Sequence, residues 1–220
     1  MRIVHLGLSV QSHRRQQLMK TGEFNIVLSG VGGQGTLLAA EVLGTAAVRE
    51  GLNVRVSEIH GMAQRGGAVV STVRIGGKVQ APTVLEGQAD VLIGFEPIET
   101  VRSLRFASEK TLVLMSDERI SPSELAAKKM AYPDMKDIVE KIHRFTGKII
   151  VVETEKLARE AGSTLTQNIV LLGALAATEK VPIKSESLIV AIQELVPAKH
   201  VNMNVKAFKL GYGYVKKMKV

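Results

Sequence analysis

The sequence predicts a three-layer α/β/α domain around a mostly parallel, mixed sheet, with a Rossmann-like start and a helical C-terminal part. Three observations predict it. Short buried-strand runs alternate with helical spacing from Phe24 onward, one segment reads as an antiparallel hairpin, and everything after Glu153 has helical periodicity. No internal repeat or low-complexity linker divides the chain, so one domain is expected over residues 23–220, preceded by an extension over 1–22.

The elements follow in order. Residues 24–29 form an apolar run of strand length ending in glycines. From Gly33 to Glu50 the apolar positions Leu37, Ala40, Leu43 and Ala47 recur at helical spacing, with Gly51 as the C-terminal stop. Asn53–Ser57 reads as a second strand. Ala68–Ile75, the Gly76-Gly77 turn and Lys78–Gln80 read as a hairpin. Asp90–Gly94 and Thr111–Met115 are short buried strands flanking a helix from Pro97 to Phe106, with Pro97 suited to its first turn. Ser121 and Glu124 are spaced as a capping box that opens another helix. Lys148–Val152 is the last strand. Helices are expected over Thr154–Ala161, Thr166–Thr178, Ser185–Glu194 and about Asn202–Val215.

The 220 residues are 45% hydrophobic, enough for a substantial core, and with 4% aromatics and no tryptophan that core is aliphatic. No apolar run reaches the roughly 18–20 residues of a membrane helix, so a soluble, cytoplasmic chain with no membrane contact is expected. The absence of cysteine excludes disulfides, thiolate catalysis and cysteine-ligated zinc or iron–sulfur clusters. The five histidines show no ligand spacing, so no metal site is expected. The net charge of +8 is divided. Arg2, Arg14, Arg15 and Lys20 lie in an acid-free segment 1–22, and Lys216, Lys217 and Lys219 lie at the other end. The remaining surface is of mixed charge without interleaved aromatics, which argues against nucleic-acid binding and for an anionic small molecule or an acidic partner. Residues 1–22 read as a flexible extension, with Met19 as an alternative start.

Two segments carry candidate chemistry. Gly30, Gly32 and Gly35, with Gly33 and Gln34 between them, satisfy G-x-G-x-x-G between a strand and a helix. Such a turn brings an anion close to free N–H groups at the positive end of a helix dipole. Glu58 stands 23 residues past Gly35, near where a dinucleotide fold keeps its ribose-binding acid, so a free-standing NAD or FAD oxidoreductase is one reading. Turn and packing glycines without a ligand are another, and a phosphate-bearing ligand such as coenzyme A, or a partner's loop, is a third. The second segment is His60-Gly-Met-Ala-Gln-Arg-Gly-Gly67. There Gly61, Gly66 and Gly67 bracket Gln64 and Arg65 so that a tight loop projects two long polar groups. Arg65 offers a planar fork for carboxylate or phosphate and His60 a proton near neutral pH, against the plain reading of a loop arginine paired with an acid.

Together these pieces resemble a known family. They are the GVGGQG turn, Glu58 with HGMAQRGG, Val73-Arg74-Ile75, Gln167-Asn168 through Gly173, and Asn204 through Phe208 followed by Gly211-Tyr212. In this order they are similar to the gamma-type domain of 2-oxoacid:ferredoxin oxidoreductases, and among those to the small subunit of the indolepyruvate enzymes. The resemblance covers about residues 24–215. It implies a subunit that is inactive alone and has no catalytic residue of its own. The complex would oxidatively decarboxylate an arylpyruvate, join the acyl group to coenzyme A and pass electrons to ferredoxin. Thiamine diphosphate, magnesium and iron–sulfur clusters would sit on a large catalytic partner, as in a heterodimer. The turn residues 30 and 32–35 would contact coenzyme A. Glu58, His60, Gln64, Arg65, Gly66, Gly67 and Asn168 would line the subunit interface or active-site rim. A non-catalytic interaction scaffold is the alternative within the same architecture.

Overall fold

A computed structural model describes residues 22–60, 66–120 and 131–218, the His60 side chain excepted. All of the extension 1–22 (except Gly22), the Gln64-Arg65 tip and the Ser121–Glu124 capping box lie outside the described residues.

The strands are β1 (Phe24–Val31), β2 (Val54–His60), β3 (Ala68–Ile75), β4 (Val91–Gly94), β5 (Leu112–Ser116) and β6 (Ile149–Val152). They form one sheet in the order β2-β3-β1-β4-β5-β6. From β1 to β6 the pairings are parallel, while β3 runs antiparallel to both β1 and β2. The helices are α1 (Thr36–Arg49), α2 (Pro97–Arg102), α3 (Met135–His143), α4 (Thr154–Ala161), α5 (Gln167–Ala177), α6 (Ser185–Leu195) and α7 (Val201–Lys217).

Alternation along the central strands builds the layers. Ile26, Leu28, Val91, Ile93 and Leu114 face α1 and the C-terminal helices, whereas Val27, Leu92, Val113 and Met115 face Ile138 and Ile142 of α3 and Leu104. The buried strands β1, β4 and β5 carry the apolar runs Ile26–Leu28, Val91–Ile93 and Leu112–Met115 because both faces are covered. Helix α5 is apolar all round and buried from Asn168 to Ala177, so it forms the middle of the helical layer rather than its surface. It crosses α7 at very short range. A Cβ added at Gly173 would stand 2.0 Å from the Phe208 carbonyl oxygen, and one at Gly211 would stand 2.0 Å from that of Val170.

Several boundaries shift. Gly33 and Gly35 have φ of 106° and 75° and belong to the turn, so α1 begins at Thr36. The expected helix to Phe106 ends at Arg102 and continues as a single 3₁₀ turn, Leu104–Phe106. The helix α3 has no match among the sequence expectations. The largest correction concerns the hairpin. Residues 78–80 form no strand, and β3 pairs instead with β2 in one antiparallel ribbon joined by the HGMAQRGG loop. Gly76 is not a hairpin turn but a crossing point: with φ of 147°, a Cβ there would stand 2.1 Å from the Gly22 carbonyl oxygen. Arg74 then secures the outgoing chain by donating to the Ala81 and Thr83 carbonyls at 2.9 and 3.0 Å. Among the described residues, no helix is long and apolar enough to cross a membrane.

Candidate functional site

The parallel strands β1, β4, β5 and β6 end on the same side, and the loops there form the crevice in which open α/β sheets hold ligands. β1 delivers Gly30 to this edge, where a Cβ would come within 2.8 Å of the Phe95 Cβ. Gln34 stitches the turn to its surroundings. Its Oε1 accepts the Val31 amide at 2.8 Å, and its Nε2 donates to the Phe95 carbonyl at 2.9 Å and to the Glu118 carboxylate at 3.3 Å. Gln34 therefore spends its amide on internal partners. The backbone, not this side chain, is what the turn offers to a ligand. Helix α1 begins with no side-chain cap and no acid in its first turn, so its leading N–H groups and dipole favour an anion.

The two motifs meet. Gly32 donates to the Gly67 carbonyl at 2.8 Å, and Gly66 donates back to the Gly32 carbonyl at 3.4 Å. The β2–β3 connection thus lies against the glycine turn, and His60 closes the β2–β3 ladder opposite Val69. Gln64 and Arg65 lie outside the described residues. Asn168, at the start of α5, is also brought in: it is 3% exposed, and its Nδ2 donates to the Gly35 carbonyl at 3.3 Å. A Cβ on Gly35 would strike that Nδ2 at 2.5 Å. Glu58 is not where the dinucleotide reading needs it. β3 intervenes between β2 and β1, and Glu58 lies opposite Ser71 in the outermost strand. A ribose-binding acid belongs on the strand beside β1, so this geometry removes the main support for an NAD or FAD site.

Sequence reasoning missed the residues that complete the crevice. Ser116, at the end of β5, accepts the Glu118 amide at 3.0 Å and pairs with Thr154 at 2.5 Å, and Thr154 donates to Gln167 Oε1 at 2.7 Å. Asp117 Oδ1 accepts the Thr154 amide at 3.0 Å. Burial raises the Asp117 carboxyl above the ordinary range, partly offset by the Thr154 amide and its own. A second cluster sits beneath Phe95. Glu96 is fully buried, accepts the Glu99 amide at 2.9 Å to cap α2, and takes the Tyr132 hydroxyl on its other oxygen. Burial first, and then this carboxylate, push the Tyr132 phenol upward, so it stays a proton donor. The Arg119 guanidinium lies 5.7 Å from the centre of the Tyr132 ring. Short polar residues separated by 38 and 13 positions form no motif, so only the fold reveals the first cluster. No group of three or more His, Cys, Asp or Glu placed to hold a metal occurs among the described residues.

The family described as pyruvate ferredoxin/flavodoxin oxidoreductase matches residues 25–214. The chain belongs to that family. It is 44% identical over 199 residues to the indolepyruvate oxidoreductase subunit IorB of Thermococcus kodakarensis, spanning 89% of this chain and 98% of the relative. The pyruvate/ketoisovalerate oxidoreductases common subunit gamma of the same organism is 27% identical over 81% of this chain and 89% of its own length. Among solved structures, the gamma subunit of a keto/oxoacid ferredoxin oxidoreductase from Geobacter sulfurreducens superposes with a TM-score of 0.64 at 25% identity, over 88% of this chain and 99% of that one. A 2-oxoglutarate:ferredoxin oxidoreductase from Magnetococcus marinus, solved with 2-oxoglutarate, coenzyme A and succinyl-CoA bound, gives 0.67 at 18% identity. It covers 90% of this chain but 32% of that one, and its likeness concerns the fold. Like the relatives it matches along nearly their whole length, the chain is a subunit of a 2-oxoacid oxidoreductase, and its fold is the one its relatives use.

Proposed function

We propose that this chain is the small subunit of an oxidoreductase that decarboxylates arylpyruvates, indolepyruvate above all, to the aryl-acetyl-coenzyme A with ferredoxin as electron acceptor. One observation carries the reading: identity to the indolepyruvate-type subunit is 44%, against 27% for the pyruvate/ketoisovalerate-type subunit of the same organism. A larger catalytic partner carries thiamine diphosphate and magnesium, which supply the carbanion chemistry, together with the iron–sulfur clusters. A chain without cysteine has no thiolate to ligate a cluster.

The share of this chain is binding and positioning. The open backbone of Gly33 and the uncapped start of α1 suit a phosphate group of coenzyme A. The pairing of Gly66 and Gly67 with Gly32 supports a role for the HGMAQRGG loop at the rim of that same crevice, where Arg65 meets the partner or the ligand. Residues 23–220 act as one gamma-type domain. The decisive experiment is reconstitution. Purified alone, the chain should give no 2-oxoacid-dependent dye reduction. Mixed with its large partner, it should restore reduction with indolepyruvate and coenzyme A, and with pyruvate far less. Equal turnover of pyruvate would overturn the arylpyruvate assignment, and turnover of NAD by the isolated chain would overturn the whole reading.

A further inference from the structure

The polar groups at the crevice form a closed belt. Gln34 reaches the Glu118 side chain, the Glu118 amide reaches Ser116, Ser116 reaches Thr154, Thr154 reaches Gln167, and Asn168, next in sequence, returns to Gly35 beside Gln34. Direction is built into this belt. The Ser116 hydroxyl accepts the Glu118 amide, so its own proton goes to Thr154, and the Thr154 proton goes to the Gln167 carbonyl oxygen. Ser116 and Thr154 are 2% and 0% exposed, so neither proton has water as an alternative partner. Gln167 is only half-buried. With its oxygen engaged by Thr154, its amide nitrogen is the end left to a ligand, on the residue that precedes Asn168 and its contact with Gly35.

We propose that Gln167 is a specificity-determining residue for the acyl-accepting co-substrate, donating a hydrogen bond to a carbonyl or phosphate oxygen of coenzyme A, and that Ser116 and Thr154 are positioning residues that leave its donor end to that ligand. The inference rests on the coenzyme A reading above and deepens it. A glutamine free to rotate would present donor and acceptor equally. The hydroxyl relay removes that ambiguity before the ligand arrives, which is where pre-organisation contributes to affinity. The arrangement distinguishes an acceptor-bearing ligand from a donor-bearing one, because only the former meets complementary groups.

The test uses the reconstituted two-subunit enzyme and reads KM for coenzyme A separately from kcat and from KM for indolepyruvate. Gln167→Glu keeps size and the Thr154 hydrogen bond but has no N–H to give. It should raise KM for coenzyme A about tenfold or more, the weight of one good hydrogen bond together with repulsion between the new carboxylate and an anionic oxygen, with assembly and KM for indolepyruvate unchanged. Thr154→Val should produce part of that rise and Thr154→Ser should restore it, a pattern that a mere packing role for Thr154 would not give. An unchanged KM for coenzyme A in Gln167→Glu, in an enzyme whose parent turns over indolepyruvate normally, overturns the inference and leaves the functional reading intact. Loss of assembly in Gln167→Glu also overturns it, by placing the residue on the partner contact. A parent enzyme with no coenzyme A dependence defeats the functional reading itself.

Discussion

The turn at the start of α1 and the crossing of α5 with α7 both depend on glycine, for different reasons. At the crossing, the atoms that forbid a side chain are backbone carbonyl oxygens of the opposite helix, 2.0 Å from an added Cβ at Gly173 and at Gly211. Two helix backbones cannot yield locally, so the whole pair must separate. At the turn, the obstruction at Gly35 is the Asn168 side chain, and at Gly33 nothing lies within 4 Å. There glycine is required by the backbone angle, and the space above it stays open. One set of glycines closes space and the other keeps it accessible. Packing belongs to the helical layer and ligand approach to the turn.

The largest effect should come from the crossing. Gly173→Ala or Gly211→Ala should cost about 3 kcal/mol or more, at the upper end of overpacking penalties. In a chain of this size that lowers the melting temperature by roughly 6–12 °C, measurable by thermal denaturation of the isolated subunit. A loss under about 1 kcal/mol would mean that the helices shift apart freely, and would erase the contrast. The turn should respond less and in a separable way. Gly33→Ala should cost about 1–2 kcal/mol, the penalty of a left-handed conformation for a residue with a Cβ. Gly35→Ala adds the collision with Asn168. In a double-mutant cycle, Asn168→Ala should recover that added part and leave the conformational part. Full recovery would show that sterics alone hold Gly35, and no recovery that the angle alone does.

Much of this division was legible in the sequence, and the illegible part has identifiable causes. β1, β4 and β5 stood out because strands buried on both faces carry apolar runs such as Ile26–Leu28, Val91–Ile93 and Leu112–Met115. The glycine turn, Asn168 and the Gly66-Gly67 pair stood out through their motifs, and the structure brings all three together. The misread hairpin came from a Gly-Gly pair that has the composition of a turn but serves a chain crossing at Gly22, which no local pattern encodes. The same error hid β3 between β1 and β2 and made Glu58 resemble a ribose-binding acid. Ser116, Thr154 and Gln167 were invisible as a unit because a hydrogen-bonded relay leaves no periodicity.

The smallest expected effect sharpens the contrast from the polar side. Burial raises the Asp117 carboxyl in the folded chain above its unfolded value. The native state therefore binds the proton more tightly, and stability falls as pH rises from the unfolded value of 3.8 through the folded one. Asp117→Asn retains an oxygen for the Thr154 amide and removes the charge. It should be neutral to slightly stabilising at pH 7, by less than about 0.5 kcal/mol, with the advantage vanishing in acid. Denaturant midpoints at pH 7 and pH 4 would check this. Marked destabilisation at pH 7 would mean that the charged carboxylate is needed at the mouth.

The sheet order has one more consequence, which concerns the chain before it meets any other protein. β6 closes one side of the sheet with four residues, but β2 closes the other with seven, among them Val56 at 39% and Ile59 at 65% exposure. A long outer strand bearing apolar side chains is a template for strand-to-strand self-association, and exposed Arg55 is the cation on it that opposes this. The aggregation liability of freshly made chain is therefore concentrated on one short ribbon, which ties the solubility of this protein to how its outermost strand is guarded.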